Sequence, residues 1–502
     1  MTDIIIRKID DVFLRVECKE SSVAYELTDF FTFKAPGFMF NPLYKKGKWD
    51  GNIKLYSMYQ QKLYVGLLDY VFKFCSQFNY TYSFNDVENP EIDIKPNEII
   101  EFCKGLDAHS DNKPIKFRDY QLYAVFYGLK YFRRVLLSPT ASGKSLIIYA
   151  ISRYIQQISD KKILIIVPTV SLVSQMFGDF DDYSSNVDWF ADDNCHQITG
   201  GVEKDADKQI YISTWQSIYK QPKKYFDQFG AILGDEAHQF KATSLKGIME
   251  KNTNCPYKLG FTGTLDGKNV HKLLLIGLFG KTKQIITTKD LIDRGDISKL
   301  KIKCLRLAYS KQECADVKHL KYPDELKFLQ SHGQRTKFIT DLALKQKSNT
   351  LVLFQHIKHG NKLQQIIEAK AKEGRKVYLV NGSVAKEVRE EIRKIVEKEK
   401  DAIIIASYGV FSTGVNIKNI HCIIFGSPSK SKIRVLQSIG RGLRLHKSKD
   451  ALILFDIGDD LTYITPKGKK KPNYTMLHAI ERQKIYIKEK LDYEVYNYPL
   501  AA

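Results

Sequence analysis

The residues from Ser138 to Ser145 could hold the phosphates of a nucleotide. They read Ser138-Pro139-Thr140-Ala141-Ser142-Gly143-Lys144-Ser145 and lie between an apolar run, Val135–Leu137, and a helical pattern, Leu146–Ile155. In a strand–loop–helix of this kind, backbone N–H groups surround the phosphates, the lysine reaches the β and γ phosphates, and the final hydroxyl ligates Mg²⁺. Ser138 departs from the G-x-x-x-x-G-K-[ST] pattern, so a Ser-Gly turn before an ordinary helix stays the alternative.

Two adjacent carboxylates follow the apolar run Ala231–Leu233, in the sequence Asp235-Glu236-Ala237-His238. If the run is a strand of an open α/β sheet, they lie at its carboxyl end, where such sheets bind ligands. Asp235 could then hold a magnesium ion and Glu236 could orient or deprotonate an attacking water. Together with Lys144, this arrangement indicates phosphoryl transfer.

A third group of residues with chemical potential is Gln437-Ser-Ile-Gly-Arg-Gly-Leu-Arg444. Arg441 and Arg444 are three residues apart, so both guanidinium groups could project from one helical face. Arginines brought to a γ-phosphate from another domain stabilise the charge of the transition state. Taken alone, the pair would be a solvated basic face; beside the other two motifs it indicates catalysis.

The elements that must position these residues are alternating strands and helices. Short apolar runs separated by helical patterns predict parallel sheets of the α/β class. They form two groups, one on each side of a passage at Thr288–Leu300 that contains an Asp-Arg-Gly-Asp turn. The first group is Val135–Leu137, Ile163–Val167, Gln209–Ile212, Ala231–Leu233 and Leu259–Phe261; the second is Leu351–Phe354, Val377–Val380, Ala402–Ala406, Cys422–Phe425 and Ala451–Phe455.

The first 85 residues or so predict a small α+β unit, with strands at Val12–Val16 and Leu63–Leu67 and a helix at Asp69–Phe78. Between these elements lies an aromatic and basic stretch in which Lys45, Lys46 and Lys48 flank Tyr44 and Trp49. In proteins that bind single-stranded nucleic acid, lysines bind the phosphate backbone and aromatic rings stack on the bases. The alternative is a tryptophan that packs in the core of the small domain beside solvated lysines. Polar stretches at Asn85–Asn97 and His109–Lys113 predict a connection to the next domain.

Composition narrows the class of protein. The 502 residues carry a formal net charge of +21, which favours a polyanionic partner such as nucleic acid. The eight cysteines form no CxxC pair, which argues against a zinc ribbon and a disulfide framework and fits a reducing compartment. We see no signal peptide and no apolar run long enough to cross a membrane, so we expect a cytoplasmic protein, in the host cell if it is viral.

The tail carries the basic run Pro466–Pro472, followed by a predicted helix with Leu477, Ile480, Ile487 and Leu491 on one face. We expect this face to pack against the rest of the protein; the alternative is that it binds a partner protein.

In this order, the three motifs resemble those of superfamily 2 helicases of the DEAH type, over about residues 113–460. The resemblance implies two tandem RecA-like parallel-sheet lobes, use of ATP and Mg²⁺, and a set of site residues at matching positions. Arg118 and Gln121 would contact adenine; His238, Thr262, Thr264 and Gln437 would couple hydrolysis to movement; Gly414 would touch phosphate; and Pro168, Thr169, Gly200, Gly201, Thr214, Trp215, Gln355, His356 and Thr413 would contact nucleic acid. Ala141 stands where these helicases usually carry glycine.

The segments Phe40-Asn-Pro, Trp49-Asp-Gly and Ser407–Gly414 narrow the resemblance to the UvsW recombination helicases of T-even-type bacteriophages, over nearly the whole chain. That resemblance implies a DNA helicase of 3′→5′ polarity that remodels forks, four-way junctions and R-loops. Its partners would be branched duplex and single-stranded DNA, RNA–DNA hybrids, and single-strand-binding or recombination proteins. We expect a small N-terminal domain and connector over residues 1–110, a first lobe over 111–296 and a second lobe over 297–502.

Three alternatives stay open. An RNA helicase is disfavoured because Gln437 stands where DEAD-box RNA helicases typically carry histidine. The translocase part of a restriction system would need a metal-nuclease constellation, and the sequence has no convincing one. A DNA-binding or annealing protein without catalysis would need neither Lys144 nor the Asp235–Glu236 pair.

Overall fold

The structure is a computed structural model that describes residues 2–85, 93–240, 243–265, 269–413, 417–429, 431–465 and 467–500. Contacts divide the chain into two compact units. One comprises residues 1–138 and 143–285, and the other comprises 139–142 and 286–502. Among the helices described, none is long and apolar enough to cross a membrane.

The first unit begins with the predicted α+β domain. Its elements are β1 (Ile4–Lys8), β2 (Phe13–Cys18), α1 (Ser21–Phe30), β3 (Thr32–Lys34), α2 (Pro42–Lys45), β4 (Asn52–Lys54), β5 (Lys62–Tyr64), α3 (Leu68–Phe78) and β6 (Tyr82–Asn85). Four strands form a sheet in the order β5-β2-β1-β6, and β3 pairs with β4. The predicted strand Leu63–Leu67 is too long, because the chain turns into a 3-10 helix at Val65–Leu67.

A short connector follows, with α4 (Pro96–Gly105), β7 (His109–Ser110) and β8 (Lys113–Pro114). The predicted polar connection at Asn85–Asn97 therefore includes the start of a helix. Pro96 occupies a first-turn position of α4, where its missing N–H costs no intrahelical hydrogen bond.

The remainder of the first unit is a doubly wound lobe around seven parallel strands. Its elements are α5 (Asp119–Tyr131), β9 (Arg133–Leu137), α6 (Lys144–Ile158), β10 (Lys162–Val167), α7 (Val170–Tyr183), α8 (Ala191–Asn194), β11 (Cys195–Ile198), β12 (Ile210–Thr214), α9 (Trp215–Ile218), α10 (Lys223–Phe226), β13 (Phe229–Asp235), α11 (Thr243–Lys251), β14 (Tyr257–Thr262), α12 (Asn269–Phe279) and β15 (Thr282–Gln284). The strand order is β11-β12-β10-β13-β14-β9-β15. All five predicted strands are confirmed, and the two that were missed, β11 and β15, are the short edge strands.

The second unit repeats this architecture. Its elements are α13 (Thr288–Asp293), β16 (Lys299–Ala308), α14 (Lys311–Val317), α15 (Tyr322–Ser331), α16 (Gly333–Lys345), β17 (Thr350–Phe354), α17 (Ile357–Lys370), β18 (Val377–Val380), α18 (Lys386–Val396), β19 (Ile403–Ser407), α19 (Tyr408–Thr413), β20 (Cys422–Phe425), α20 (Lys432–Gly442), β21 (Ala451–Asp460), β22 (Tyr463–Ile464), β23 (Lys470–Lys471), α21 (Tyr474–Lys488) and β24 (Tyr493–Pro499). Seven parallel strands lie in the order β18-β19-β17-β20-β21-β16-β24. The fold class, two tandem RecA-like lobes with a small N-terminal α+β domain, is confirmed.

The small domain is packed against helix α12 of the first lobe. Its buried residues, such as Leu67, belong to the same hydrophobic core as Leu275 and Phe279 of α12. The approach is close at Gly66, where a Cβ atom would lie 1.8 Å from the carbonyl oxygen of Ile276. Only glycine fits there, so the sequence of the small domain is adapted to this contact.

The packing stripe predicted for α21 is wrong. Leu477 and Ile487 are 44% and 63% exposed, and the helix ends at Lys488, before Leu491. The buried face is shifted around the helix and is not wholly apolar. It carries Thr475, Met476, His478, Ala479, Arg482, Ile485 and Tyr486.

Candidate nucleotide and nucleic-acid sites

The predicted phosphate loop connects β9 to α6. The N–H of Ser138 donates to the carbonyl oxygen of Thr262 at 3.0 Å, which fixes the start of the loop to the end of β14. Within the loop, the Ser142 Oγ donates to the carbonyl oxygen of Pro139 at 2.8 Å. The Lys144 Nζ donates to the Ser138 carbonyl oxygen at 3.3 Å, so the lysine side chain folds back over the loop it follows.

Two residues of the loop have left-handed backbone conformations. Gly143 has φ of 79°, a conformation that favours glycine, and a Cβ atom there would lie 2.3 Å from the Nε2 atom of the Gln121 side chain. Ala141 has φ of 68°, which is unfavourable for a residue with a Cβ atom. The glycine expected at this position from the resemblance to superfamily 2 helicases would suit this conformation, which this chain adopts with alanine.

The hydroxyl predicted to ligate a metal has a neighbour that the sequence did not reveal. The Ser145 Oγ lies 3.1 Å from the Tyr183 hydroxyl at the end of α7. Tyr183 also contacts the ring of Tyr149 on α6. No short-range pattern could have indicated this pair, because Tyr183 is 38 residues away along the chain.

Asp235 is the last residue of β13, and its Oδ1 atom is buried without a hydrogen-bond donor. Burial and the neighbouring charge of Glu236 raise the pKa of Asp235 to about 6, while Lys144 and His238 act in the opposite direction. A buried carboxylate oxygen with a spare lone pair fits a hard cation. With the Ser145 hydroxyl it would offer few protein ligands, as Mg²⁺ sites usually do. In the described ranges, no group of three or more His, Cys, Asp or Glu is arranged to hold a metal ion.

His238 connects the carboxylates to the next strand. Its Nδ1 atom lies 3.3 Å from the Glu236 Oε2 atom and 3.0 Å from the Thr262 Oγ1 atom. The Thr262 hydroxyl also donates to the carbonyl oxygen of Thr264 at 3.1 Å. A continuous chain of polar contacts therefore runs from Glu236 to the Thr262-Gly263-Thr264 segment. All of these side chains except Glu236 are buried.

The residues predicted for adenine recognition lie at the start of α5. The Gln121 Oε1 atom accepts from the N–H of Arg118 at 2.9 Å, and Gln121 is buried against Gly143. The Arg118 Nη1 atom donates to the Tyr120 hydroxyl at 3.1 Å. The structure thus brings this motif into contact with the phosphate loop.

The predicted site residues at the carboxyl edge of the first sheet fall into two groups on neighbouring sets of strands. Three neighbouring strands, β9, β14 and β13, end in the residues predicted for phosphate binding, coupling and hydrolysis. The other neighbouring strands, β10, β12 and β11, lead into the residues predicted to contact nucleic acid. These are Pro168 and Thr169 after β10, Thr214 and Trp215 at the end of β12, and Gly200 and Gly201 after β11.

Backbone hydrogen bonding shapes these nucleic-acid segments. Thr169 is the N-cap of α7, and its Oγ1 atom accepts from the N–H of Leu172 at 3.4 Å. The Thr214 hydroxyl lies 3.0 Å from the Ser217 Oγ atom, and Gly201 has φ of 81°. Each segment begins a helix or turn, which presents N–H groups of the kind that bind phosphates.

In the second unit, the predicted residues also follow the carboxyl ends of strands. Gln355 and His356 follow β17, and the His356 Nδ1 atom lies 3.0 Å from the Gln330 Oε1 atom. Thr413 is the last residue of α19, after β19. Gly414 lies outside the described residues.

Gln437 and Arg441 are one turn apart on α20, which begins seven residues after β20. The prediction that Arg441 and Arg444 share a helical face is wrong, because α20 ends at Gly442. Arg444 lies on the following segment, where the Ser298 Oγ donates to its carbonyl oxygen at 3.2 Å.

In the N-terminal domain, Lys45, Lys46 and Lys48 are exposed around the end of α2. Trp49 is half-buried, and its indole N–H donates to the carbonyl oxygen of Asn52 at 2.9 Å. Phe40 and Tyr44 of this segment are more exposed, at 76% and 36%. The motif Phe40-Asn-Pro gave no indication that the Phe40 ring is exposed.

Three family models match the chain in the order of its domains. The model described as "DNA helicase UvsW, N-terminal" matches residues 3–85. "Type III restriction enzyme, res subunit" matches 114–267, and "Helicase conserved C-terminal domain" matches 333–446.

Individual relatives extend this similarity over the whole chain. The ATP-dependent DNA helicase uvsW of Enterobacteria phage T4 is 37% identical over 504 residues, which is 98% of each chain. The crystal structure of T4 UvsW matches with a TM-score of 0.53 at 36% identity and covers 100% of both chains. A DNA 3'-5' translocase, XPB2 of Sulfurisphaera tokodaii, is 27% identical over 72% of this chain and 85% of its own.

Proposed function

Because the chain belongs to the UvsW family of DNA helicases, we propose that it is an ATP-dependent motor that unwinds and branch-migrates branched DNA. Its substrates are replication forks, four-way junctions and R-loops, in replication, recombination and repair. The observation that carries the proposal is the intact polar path from the phosphate loop and the Asp235–Glu236 pair through His238 to Thr262. A protein that only bound or annealed DNA would need no such path.

The residues of the first lobe have distinct tasks in hydrolysis. Lys144 reaches the β and γ phosphates, and the loop from Ser138 to Gly143 surrounds them with N–H groups. Mg²⁺ held by Ser145 and Asp235 would offset the negative charge of the phosphates. Glu236 orients the attacking water and accepts its proton, and Gln121 and Arg118 contact the adenine base.

The second lobe supplies further residues for hydrolysis and for its coupling to movement. Arg441 and Arg444 stabilise the charge that develops on the γ-phosphate, and Gly414 contacts phosphate. Gln437 joins His238, Thr262 and Thr264 in coupling hydrolysis to movement. Supporting this assignment, Gln437 and Arg441 are one turn apart on a helix that follows a strand's carboxyl end, and Arg444 follows that helix directly.

DNA lies along the segments after β10, β11 and β12 of the first lobe, and along Gln355, His356 and Thr413 of the second. The direction of movement is 3′→5′, as in the XPB2 relative of Sulfurisphaera tokodaii, a DNA 3'-5' translocase. RNA–DNA hybrids at R-loops are a further substrate, and single-strand-binding or recombination proteins are further partners.

The exposed lysines of the N-terminal domain bind the DNA backbone beside the exposed ring of Phe40. Replacement of Lys45, Lys46 and Lys48 by alanine should leave basal ATP hydrolysis unchanged and weaken binding to branched DNA. The salt dependence of binding should become shallower by up to about one unit of log–log slope per lost contact. Unchanged junction binding and slope would give the domain a structural or protein-contact role.

The proposed function is tested with a panel of substrates offered to the full chain. ATP turnover and strand separation are measured on linear duplex, a fork, a four-way junction, an R-loop and an RNA duplex. We expect the branched DNA substrates to give the highest rates and the RNA duplex to give little or none. Lys144→Ala and Glu236→Gln should abolish DNA-stimulated turnover while most DNA affinity is retained; turnover in both variants would contradict the site assignment.

A further inference from the structure

A basic hairpin projects from the second unit, between β21 and α21. Strands β22 and β23 pair antiparallel, with Tyr463 opposite Lys471 and Ile464 opposite Lys470. The turn is held by the Thr465 N–H, which donates to the Lys469 carbonyl oxygen at 2.9 Å, and by Gly468 in the left-handed conformation with φ of 72°. The helicase motifs described above do not include this hairpin.

The hairpin concentrates positive charge at the surface. Its four lysines, Lys467, Lys469, Lys470 and Lys471, are all exposed. They surround a shallow open depression that also includes Thr465. In the part of the chain that the structure describes, no carboxylate lies within ion-pair distance of any of them. Lys471 alone has a side-chain contact, 5.8 Å above the ring of Tyr463.

The two ends of the hairpin are fixed together by a buried amide. The Asn473 Oδ1 atom accepts from the N–H of Leu461 at 3.0 Å, and its Nδ2 atom donates to the Glu325 Oε1 atom at 2.8 Å. Glu325, on α15, is 2% exposed and also accepts from the N–H and hydroxyl of Thr475, each at 2.8 Å. These bonds hold the base of the hairpin to the first turn of α21.

The strand that leads into the hairpin is anchored by two buried ion pairs. Asp459 accepts from Arg335 at 2.7 Å, and Asp456 accepts from Arg482 at 2.6 Å, with each side chain no more than 2% exposed. Buried ion pairs are costly to desolvate and contribute less to stability than to a defined geometry. The hairpin is thus a short, rigidly mounted element whose free end carries unpaired positive charge.

We propose that this hairpin is an additional DNA-binding element that contacts the phosphate backbone through Lys467, Lys469 and Lys470. It follows the carboxyl end of β21, the same edge of the parallel sheet as the segments after β17 and β19. A fixed cluster of lysines binds phosphates by releasing condensed counterions, with little ordering cost on the protein side. This inference rests on the proposed function, since it assigns a further contact for the same DNA.

The test compares two triple variants of the full chain. The first is Lys467→Ala, Lys469→Ala and Lys470→Ala, which leaves Lys471 on the ring of Tyr463. The matched control is Lys345→Ala, Lys347→Ala and Lys372→Ala, which removes three exposed lysines near the amino ends of β17 and β18, at the opposite edge of the sheet. Both variants lose the same charge, and thermal unfolding checks that both are folded.

Binding to a fluorescent fork is measured by anisotropy between about 50 and 200 mM salt, a range over which the affinity of proteins that contact phosphates changes strongly. Basal and DNA-stimulated ATP hydrolysis are measured in parallel. For the hairpin variant we expect a salt slope shallower by up to about 0.9 per lost contact and affinity reduced by roughly tenfold. The DNA concentration for half-maximal stimulation should rise while the maximal rate and the basal rate stay unchanged.

Equal slopes and affinities for the hairpin variant and the control would overturn the inference. Its failure is distinguishable from failure of the proposed function. If the unmodified chain shows no DNA-stimulated hydrolysis or unwinding, the proposed function fails. If the unmodified chain is active and the two variants bind alike, only the role of the hairpin fails.

Discussion

The contact between His238 and Thr262 joins the Asp235–Glu236 pair to the end of β14. Their side chains meet at 3.0 Å between β13 and β14, and both are buried. Because Thr262 also bonds the main chain of Thr264, a change in the position of Glu236 can be transmitted to the segment after β14. The same bond is therefore a point at which hydrolysis and movement can be separated.

We expect His238→Ala and Thr262→Val each to lower the rate of DNA unwinding more than the rate of ATP hydrolysis. Because both changes remove the same hydrogen bond, the double variant should be no worse than the more severe single variant. The coupling energy between the two positions should be on the order of 1 kcal/mol. Parallel ATPase and unwinding assays measure this. Thr340→Val is the control, because Thr340 is a buried threonine of α16 that lies outside this chain of contacts. Additive losses would show that the two side chains act independently.

Among the elements, the contact between the small N-terminal domain and α12 is the most constrained. The Asp11 carbonyl oxygen accepts from Lys258 at 3.1 Å and also from Arg133, and the Tyr64 hydroxyl donates to Glu250 at 2.6 Å. These polar contacts join the small domain to β14, β9 and α11, in addition to its close approach to α12 at Gly66. The small domain is consequently a fixed part of the first unit.

Gly66→Ala should destabilise this arrangement by at least about 1–3 kcal/mol, because the new methyl group overlaps the Ile276 carbonyl oxygen and the backbone must shift. Chemical denaturation and limited proteolysis of the first 85 residues measure the effect. Gly178→Ala is the control: it lies in α7, nothing would lie within 4 Å of its Cβ atom, and alanine favours a helix. Equal stability of the two variants would contradict the packing described.

The buried amino group of Lys258 should make the stability of the whole first unit depend on pH. Burial, with a contribution from the nearby Arg133 charge, lowers the pKa of Lys258 from 10.5 to about 7, against weaker opposing effects of Cys255, Asp11 and Asp10. Between these two pH values the unfolded chain binds a proton that the folded chain does not. The free energy of unfolding should therefore fall as the pH is lowered from about 10 to 7.

Lys258→Met should remove this contribution, so that the slope of unfolding free energy against pH becomes flatter over that range. Denaturation at a series of pH values measures it. Lys223→Met, at an exposed lysine, is the control and should leave the slope as it is. A slope unchanged in Lys258→Met would show that the ammonium group does not titrate as described.

The proposed contribution of Arg441 and Arg444 to hydrolysis predicts the last result. Arg441→Ala and Arg444→Ala should reduce kcat for ATP on the order of 10³-fold, while binding of a non-hydrolysable ATP analogue changes much less. Arg434→Ala, at an exposed arginine of the same helix α20, should leave kcat unaffected and serves as the control. Full activity of the Arg441 and Arg444 variants would place the charge-stabilising group elsewhere.

Local sequence was sufficient for the fold class and for the residues that could bind phosphate. Central strands buried on both faces, such as β13, are continuous apolar runs. Adjacency along the chain therefore placed Asp235 at the end of β13 and Lys144 at the start of α6, after the loop that follows β9. Edge strands such as β11 and β15 have one neighbouring strand and mixed polarity, and for that reason no apolar run marked them.

Other features depended on contacts between residues far apart in sequence. No local pattern indicates the pairing of Ser145 with Tyr183, the docking at Gly66 or the buried pair of Arg482 on α21 with Asp456 on β21. In α21 the burial of a charged side chain even reverses the pattern, since Leu477 and Ile487 are exposed while Arg482 is fully buried. Hydrophobic periodicity predicts which face is buried only where burial is driven by apolar area. Where a buried carboxylate such as Asp456 satisfies the charge, tertiary packing decides which face is turned inward.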